Sequence, residues 1–559
     1  MKQTKYIIFY YFLLFLFLYL FTLNFNYVEG DDAATILYHL CGRNPLIQQP
    51  YASYNSGLDF LIELTNYQSE ESLRNFAILV SFISGFLVLV LYALFLDVFF
   101  EGNNQVSVKN RLYLYILLPF IVPDIIFHSL IINATNISFA FLLCSLILFI
   151  KFLRSNRNIL LIFSTILFAI AIPFRWTMLI SLPLYMGIAL YFYPIQYYSK
   201  DTFKLFFKII LANLLSVILA ILFIYVTGYN LHGIYETIQF TTGYIENSEK
   251  SLLSILATGS AFLTPSLLIL IFFSFFKIYE LDKNQPKTFI SIISLVLLSI
   301  SPFILFGFFP SYKFLITLFP MLLILMVFGL DYLLKRKWLK IIFLIAVIAP
   351  WFIGIQLDVT GSFCGPGFEL NTNKKIKSDI EHIENPDKRI KIEGINLKLD
   401  SGFYMPMPEG PRPLYGYFYA IFVNGWKNQI DLFTKERQNI IDLLIKDKNI
   451  IFIQDRKTAF ISCDLYRNGY ETNSSFKKVK TGDLLYRDFY KDNDTLKIFV
   501  INTIGSKTDF IQDYLKKADN PVIFRSSYSS MILDLVNNDY NEELELIGPY
   551  TIYKRGSKK

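Results

Sequence analysis

Charged residues are scarce in this sequence. Asp, Glu, Lys and Arg make up only 17% of its 559 residues, whereas an average soluble protein carries about 25%. The hydrophobic fraction is 54%. Phe and Tyr, with 56 and 37 copies, are as abundant as expected where rings lie in lipid and at its interfaces. These proportions exclude a soluble protein of this length and indicate an integral membrane protein.

Cysteine and several common motifs are also missing or rare. No CxxC pair and no Cys/His ligand spacing occurs, so neither a zinc site nor a disulfide framework is indicated. Cys364 and Cys463 could pair in an oxidising compartment or remain free thiols, and the sequence leaves both open. The chain has no dinucleotide fingerprint, no Gly-rich phosphate loop in its C-terminal part and no internal repeat. Nothing in it indicates nucleic acid as a partner.

A convincing signal-peptide cleavage site is absent as well. Residues 1–24 carry Lys2 and Lys5 followed by an apolar run from about Tyr6 to Phe21. That run is longer than the apolar region of a typical signal peptide, and the following "TLNFNYVEGDD" has no small-x-small cleavage pattern. We therefore expect a retained first transmembrane helix.

Apolar runs long enough to cross the roughly 30 Å hydrocarbon core recur up to residue 357. Most Lys and Arg residues between them fall in segments such as "VKNR" (108–111) and "LKRKWLK" (334–340), which the positive-inside rule places in the cytoplasm together with the N-terminus. An odd number of spans then places the C-terminus and the loops 25–75 and 228–252 on the outer face. The predicted spans, about eleven in number, lie near 6–24, 76–99, 112–125, 136–152, 158–173, 176–193, 205–227, 253–277, 288–308, 314–333 and 339–357.

The composition changes after Asp358. Residues 365–559 contain no spanning run, and segments such as "KNIIFIQD" and "LKIFVIN" are typical of short strands bounded by turn formers. "KERQNIIDLLIKD" has helical periodicity. The sequence thus predicts a polytopic α-helical membrane protein in a cell membrane, with a membrane domain over 1–357 and a soluble extracytoplasmic α/β domain over 358–559.

Three carboxylates follow the first span directly, in "YVEGDDAATILYHL" (27–40): Glu29, Asp31 and Asp32. Acids at the mouth of a helix bundle can take a proton from a nucleophile or hold a divalent cation. The alternative is a solvated turn in which an Asp caps the next helix. Loop 25–75 is longer than ordinary connections and has too many aromatic residues for a disordered segment, which favours a functional role.

Four segments together resemble the GT-C type of lipid-dependent membrane glycosyltransferase, which includes protein mannosyltransferase-like, arabinosyltransferase-like and aminoarabinose-transferase-like members. The first is the acidic opening of loop 25–75, "GDDAATILYHLCGRNPLIQQPYASYNSGLDFLIEL". The others are "PFIVPDIIFHSLIINATNISFAFLLCSLILF" (119–149), "FAIAIPFRWTMLISLPLYMGIAL" (168–190) and "GFFPSYKFLITLFPMLLILM" (307–326). The resemblance covers about residues 1–357.

This resemblance implies transfer of a sugar, with inversion, from a polyprenyl-phosphate donor to a glycan, lipid or protein acceptor on the outer face. Asp31 would be the base, and Asp32 would orient the acceptor or help to bind a divalent cation such as Mg²⁺ or Mn²⁺. Arg175, Lys313 and His128 would contact the donor phosphate, because fixed positive charge stabilises an anionic leaving group. The alternatives are interfacial snorkelling for Arg175 and Lys313 and a structural role for His128.

Four further residues are accessory candidates: Glu29, Tyr312, Asn136 and Glu236. Asn136 stands where family members often have Asp, so a sugar contact remains open there but a charge-dependent role does not. Glu236 lies in the later outer loop, where it could bind acceptor or metal or be a solvated acid.

Two other functions compete with the glycosyltransferase hypothesis. A transporter or lipid flippase would usually place ionisable sites near the bilayer midplane and often shows repeated halves. The acids of this sequence instead concentrate in outer loops. A non-catalytic membrane assembly protein with a receptor-like outer domain is the third hypothesis, and it predicts that substitutions at Asp31 and Arg175 leave function intact.

Overall fold

The computed structural model describes residues 2–22, 56–65, 70–102, 107–130, 134–193, 200–227, 264–284, 286–306 and 315–352, together with helices and strands between 355 and 554. Up to residue 352 the described chain is helical. Its helices are α1 (Lys2–Thr22), α2 (Ser56–Thr65), α3 (Glu70–Phe99), α4 (Val108–Ile121), α5 (Pro123–Leu130), α6 (Thr135–Ser155), α7 (Asn158–Phe174), α8 (Leu182–Phe192), α9 (Lys200–Val226), α10 (Pro265–Asn284), α11 (Pro286–Phe306), α12 (Phe319–Leu333) and α13 (Lys337–Phe352).

Several of these helices are compatible with membrane spans by length and composition. Four are long and apolar enough to cross a bilayer: Leu79–Phe99, Thr135–Ser155, Asp201–Val226 and Ile316–Leu333. Shorter apolar helices cover Lys5–Leu20, Asn158–Phe174, Trp176–Phe192 and Thr288–Ile304. The expectation of an apolar helical membrane protein is thus confirmed in this coarse form, while the number of eleven spans and their orientation stay predictions.

Helices α6 and α7 form an antiparallel hairpin, and hydrogen bonds stabilise both its turn and its middle. Asn156 ends α6 in the left-handed conformation, with φ 53°, and its amide donates to the Phe152 carbonyl at 2.7 Å. Half-way along the pair, Ser145 Oγ donates to the Ser164 carbonyl at 2.7 Å and Ser164 Oγ donates to the Ser145 carbonyl at 2.9 Å. Small polar residues of this kind let helices approach closely in lipid.

A glycine allows an equally close approach between α10 and α12. A Cβ at Gly329 would overlap the backbone carbonyl of Leu270, so the two helices touch backbone to backbone at this position. The apolar stretch Ile316–Leu333, which includes α12, is 89% buried, whereas only 22% of the apolar stretch of α9 is buried. Helix α12 is therefore central in the bundle and α9 is peripheral.

Ion pairs and hydrogen bonds join the helix ends at one side of the bundle. Asp331 of α12 accepts from Asn110 Nδ2 at 2.8 Å and pairs with Lys277 Nζ at 3.1 Å. Asp97 of α3 pairs with Arg111 Nη1 at 3.0 Å and accepts from Tyr115 Oη at 2.7 Å. We call this side, where α3, α6 and α12 end, the Asp331 end.

The boundaries of several predicted spans need correction: the helix in the span predicted over 253–277 continues to Asn284, and two further cases are clear. The span predicted over 112–125 is a helix from Val108 to Ile121, and a separate helix, α5, begins at Pro123. The last span was predicted to reach 357, but α13 ends at Phe352 and a strand begins at Ile355. Proline explains the difference at residues 112–125, since it cannot donate a helical hydrogen bond but fits the first position of a new helix.

Strands and helices both occur among the described residues after 354. The elements are β1 (Ile355–Asp358), β2 (Gly367–Asn371), β3 (Arg389–Ile392), β4 (Ile395–Lys398), α14 (Arg437–Lys446), β5 (Ile451–Asp455), α15 (Phe460–Arg467), β6 (Lys477–Lys478), β7 (Leu484–Lys491), β8 (Asp494–Ile501), β9 (Val522–Arg525), β10 (Glu542–Ile547) and β11 (Tyr550–Lys554). Strand β5 pairs in parallel with β8, Phe452 lying opposite Ile498, and with β9, Ile451 lying opposite Val522. One sheet has the order β1-β2-β4-β3 and the other β10-β11-β9-β5-β8-β7-β6. The domain boundary near 357 and a separate α/β domain stay predictions.

Candidate functional site

The sequence-predicted site residues divide into two groups. Arg175, His128 and Asn136 lie in described parts of the chain, and all three are buried. The remaining candidates lie outside the described residues, so their predicted roles stay predictions. These residues are Glu29, Asp31, Asp32, Glu236, Tyr312 and Lys313.

Arg175 is the residue that follows α7, and its side chain is completely buried, with 0% exposure. Pro173 lies in the last turn of α7, and Arg175 leaves the helix in an extended conformation. Its Nε donates a hydrogen bond to Thr135 Oγ1 at 3.1 Å. Because α6 and α7 run antiparallel, the first residue of α6 meets the chain that leaves α7. We call this side of the bundle the Arg175 end.

The burial of Arg175 bears on snorkelling, one of the two roles that the sequence left open, whereas contact with a donor phosphate stays a prediction. A snorkelling arginine keeps its guanidinium in water and buries only its aliphatic stem. A guanidinium with no exposure loses its hydration, which is costly unless polar partners replace the water. The structure therefore does not fit snorkelling at Arg175. It favours a cation held in place within a low-dielectric site.

Asn136 connects α5 to α6 at the same end. Its Nδ2 donates to the Ile125 carbonyl at 3.3 Å and to Ser129 Oγ at 3.2 Å, and Ser129 Oγ donates to the Ile125 carbonyl at 2.5 Å. An ionised Asp at position 136 could only accept hydrogen bonds and would face the Ile125 carbonyl. The amide therefore has a structural role, and a sugar contact by Asn136 stays a prediction. His128 lies on α5 beside this cluster and is 1% exposed.

Asp59, in α2, is a buried carboxylate that the sequence analysis did not single out. It is 1% exposed and lies in the first turn of the helix. Ser56 Oγ donates to the Pro173 carbonyl at 3.5 Å, and a Cβ at Gly57 would lie 2.8 Å from the Phe174 ring. Helix α2 thus packs against the last turn of α7 and brings Asp59 to the Arg175 end. The signal in the sequence was an acid in the otherwise apolar segment "GLDFLI".

Thr177 is the second residue that the sequence analysis missed. It belongs to the 3-10 helix Trp176–Ser181, is 4% exposed, and its Oγ1 has no hydrogen-bond partner in the described parts of the chain. A buried hydroxyl without a partner costs about 1–3 kcal/mol. A bound ligand that accepts or donates one hydrogen bond would recover this free energy.

A second 3-10 helix, Ile316–Leu318, contacts the one that contains Thr177. The described chain resumes at Leu315 just before this helix, so the start of the α12 segment meets the chain that follows Arg175. The described part of the Arg175 end therefore combines a guanidinium, an imidazole, a carboxylate and a hydroxyl, all buried. The described residues contain no group of three His, Cys, Asp or Glu side chains that could hold a metal ion. The acid pair proposed as a cation site from the sequence lies outside them.

Comparison with known proteins does not identify this chain. No protein-family model, no curated protein and no solved structure matches it. Function must therefore be inferred from the residues and their geometry.

Proposed function

We propose that this protein is an integral membrane glycosyltransferase that uses a polyprenyl-phosphate sugar as its donor. The observation that carries the proposal is the fully buried Arg175 at the end of an apolar helix hairpin. A fixed cation in a site without water stabilises the charge that develops on a departing phosphate far more strongly than it would in water. Two features of the sequence also support the proposal: the acid pair Asp31 and Asp32, and the resemblance of the membrane segments to GT-C glycosyltransferases.

In the proposed reaction, the acceptor hydroxyl attacks the anomeric carbon of the sugar. The bond from that carbon to the phosphate oxygen breaks, and its electron pair stays on the lipid phosphate. Asp31 takes the hydroxyl proton, and attack from the face opposite the phosphate inverts the anomeric centre. Arg175 binds the phosphate through its terminal nitrogens, while the bond from its Nε to Thr135 fixes the guanidinium plane. Lys313 and His128 are assigned to the same phosphate.

The distribution of buried ionisable groups counts against the transport hypothesis. Transporters usually place such groups near the bilayer midplane. In the described chain, Arg175 directly follows α7, Asp331 is close to the end of α12, and Asp97 is close to the end of α3. These positions at helix ends count against a transport site in the middle of the bilayer, and only Arg175 lies at the end proposed for the transfer reaction.

The direct test offers a panel of radiolabelled polyprenyl-phosphate sugars and cell-envelope acceptors to the purified protein in lipid nanodiscs. We expect transfer by the wild type, with at least a hundredfold loss in Asp31→Asn and at least tenfold in Arg175→Ala. Arg154→Ala is the matched control, because Arg154 lies at the Asp331 end and contacts Glu101 and Phe99. It should retain transfer.

Each competing function predicts a different outcome. Transfer that persists in Asp31→Asn would remove Asp31 as the base. No transfer with any donor in the panel, together with donor lipid movement between leaflets, would favour the flippase. Full function of Asp31→Asn and Arg175→Ala in cells would favour the assembly protein.

A further inference from the structure

Helix α13 exposes a stripe of residues that begins with two lysines and continues with apolar side chains. On the other side of the helix, Leu339, Phe343 and Val347 pack into the bundle and are each 3% exposed. The exposed positions recur every three or four residues and therefore share one face of the helix. We call this the lysine-headed face, and it consists of Lys337, Lys340, Ile341, Leu344, Ile345 and Ile348.

The apolar part of this face has the exposure expected of a surface in contact with lipid chains. Ile341 is 62% exposed and Ile345 is 59% exposed, although the other side of the same helix belongs to the core of the bundle. From Ile341 to Ile348 the face extends about 10 Å along the helix axis, at a rise of 1.5 Å per residue. That length fits within one leaflet, whose hydrocarbon layer is about 15 Å deep.

Trp338 indicates where the lipid head groups lie along α13. Its side chain is 58% exposed, and it stands between Lys337 and Lys340 in the sequence. Tryptophan is enriched where a membrane meets water, because its ring is apolar while its N–H group is polar. The two lysines therefore lie at the level of the lipid phosphates, and the apolar part of the face lies on the hydrocarbon side of them.

No carboxylate of the described chain neutralises these two lysines. The neighbouring Lys335 has its Nζ 4.0 Å from the Glu280 carboxylate. In the described parts of the chain, by contrast, the side chains of Lys337 and Lys340 form no ion pair. The amide groups at the start of α13 add further partial positive charge. An anion from outside the protein therefore meets uncompensated positive charge at this position.

Helix α4 brings another cation to the same end of the bundle. Asn110 Nδ2 donates to Asp331 at 2.8 Å, which holds the start of α4 beside the end of α12, shortly before α13 begins. Helices α4 and α13 pack against each other, and near their far ends Trp351 Nε1 donates to the Phe120 carbonyl at 3.1 Å. Lys109, the second residue of α4, is exposed. Two neighbouring helices thus begin with exposed cations at the Asp331 end.

We propose that the lysine-headed face binds an anionic phospholipid from the leaflet at the Asp331 end. The lipid phosphate contacts Lys337 and Lys340, and an acyl chain lies along the residues from Ile341 to Ile348. Clusters of lysine and arginine beside a membrane helix attract anionic lipids. A zwitterionic lipid binds less well, because the lysines repel the cation of its own head group. The inference is independent of the proposed transferase activity.

Photocrosslinking of the full-length protein in nanodiscs tests this inference. The probe is a phosphatidylglycerol with a diazirine near the glycerol end of one acyl chain, and the reference is a phosphatidylcholine with the same chains. Each lipid is added at a low fraction to phosphatidylcholine nanodiscs, and mass spectrometry locates the crosslinks. We expect the phosphatidylglycerol to label residues 337–348 at least fivefold more than the phosphatidylcholine does.

Helix α9 is the internal control, because it also combines cations with apolar residues at the surface. Lys204 and Lys208 are exposed near its start, and Phe207 and Leu211 are 60% and 55% exposed. The Asp201 carboxylate lies 3.4 Å from Lys204 Nζ and offsets part of the positive charge. We therefore expect the two lipids to label residues 204–215 to within a factor of about two, as weak surface attraction predicts.

The double variant Lys337→Gln/Lys340→Gln removes both charges and nearly keeps the side-chain length. Its labelling by phosphatidylglycerol at residues 337–348 should fall to the level of phosphatidylcholine. Labelling of α9 should stay as in the wild type, which also shows that the fold is intact. Lys204→Gln/Lys208→Gln is the matched variant, and it should leave the lipid preference at α13 unchanged.

Two results in the wild type would overturn the proposal whether or not the variants fold. One is equal labelling of residues 337–348 by the two lipids. The other is the same preference for phosphatidylglycerol at α9 as at α13, because general attraction of anionic lipid to a basic surface would then explain the labelling. An unchanged preference at α13 in a folded Lys337→Gln/Lys340→Gln protein would also overturn it.

Discussion

Arg175 and Thr135 are joined by a hydrogen bond of 3.1 Å that connects the end of α7 to the first residue of α6. The donor is a buried cation, so the bond belongs to the stronger, charge-assisted class. It helps to hold the guanidinium in place at the Arg175 end. A phosphate bound there would meet a fixed charge that needs no rearrangement during the reaction, which is the condition for strong electrostatic catalysis.

Thr135→Val tests whether this orientation matters. Valine has nearly the same shape as threonine but removes the acceptor of the Nε hydrogen bond. Loss of a hydrogen bond to a charged group costs about 1.5–3 kcal/mol, so we expect sugar transfer to fall at least tenfold. The measurement is kcat/KM for the polyprenyl-phosphate donor, and Thr135→Ser should restore most of the activity because serine keeps the hydroxyl.

Thr165→Val is the control for that experiment. Thr165 lies on the same helix hairpin, but its hydroxyl donates to the Leu161 carbonyl within α7. This variant should keep wild-type transfer. Equal activity of Thr135→Val and wild type would show that the guanidinium does not depend on Thr135 for its catalytic position.

Asp331→Asn should destabilise the bundle. The substitution removes the negative charge that pairs with Lys277, and the two side chains are only 11% and 13% exposed. Breaking a buried pair usually costs 3–5 kcal/mol. Glu280, whose carboxylate lies 3.7 Å from Lys277 Nζ, partly replaces Asp331, so we expect about 2 kcal/mol. The readout is a lower thermal unfolding midpoint of the purified protein in detergent.

Asp201→Asn is the control for Asp331→Asn, measured by the same thermal unfolding midpoint. Asp201 pairs with Lys204 at 3.4 Å, but the side chains are 88% and 63% exposed, and exposed pairs contribute little because water screens them. The thermal unfolding midpoint of Asp201→Asn should therefore equal that of the wild type. A similar decrease in both variants would mean that the Asp331 cluster is no more than a solvated ion pair.

The apolar runs predicted the helices well because lipid allows few alternatives to a continuous helix. The helix boundaries were harder to predict. The run over 112–125 looked continuous, yet Pro123 begins a new helix there. A hydropathy pattern does not show where a chain bends within apolar surroundings.

The candidate site was only partly predictable. Arg175 could be found because a cation between two apolar runs is conspicuous in a sequence. Asp59 and Thr177 could not, since their significance depends on burial between elements far apart in the chain. For Asn136, the sequence left the role open, and the bonds to Ile125 and Ser129 show that a donor is required there.

Gly329→Ala should also destabilise the bundle, through packing. The added methyl group would overlap the Leu270 carbonyl, which belongs to the backbone and cannot rotate away. Helices α10 and α12 would have to separate, and overpacking of this kind typically costs 1–3 kcal/mol. Gly187→Ala should cost less, because the nearest atom, at 3.0 Å, is the flexible Cδ1 of Leu295. Thermal unfolding midpoints measure both, and the reverse order would contradict the backbone contact.

Thiol labelling can decide the orientation of the chain. Charge distribution predicts that the turn between α6 and α7 lies in the cytoplasm, whereas Cys41, Cys364 and Cys463 lie outside. A membrane-impermeant maleimide added to intact cells should therefore label the native cysteines of the outer segments. A cysteine introduced as Ser155→Cys, at an exposed position in the last turn of α6, should react only after the membrane is permeabilised.

Labelling of Ser155→Cys in intact cells, without labelling of Cys41, would invert the predicted topology and move Arg175 to the cytoplasmic face. That outcome would rule out an outer-face transferase, because the donor phosphate and Arg175 would then lie on opposite sides of the membrane.

The same labelling experiment shows whether the two C-terminal cysteines are free thiols or form a disulfide. Free thiols at Cys364 and Cys463 react at once, whereas a disulfide between them reacts only after an impermeant reductant is added.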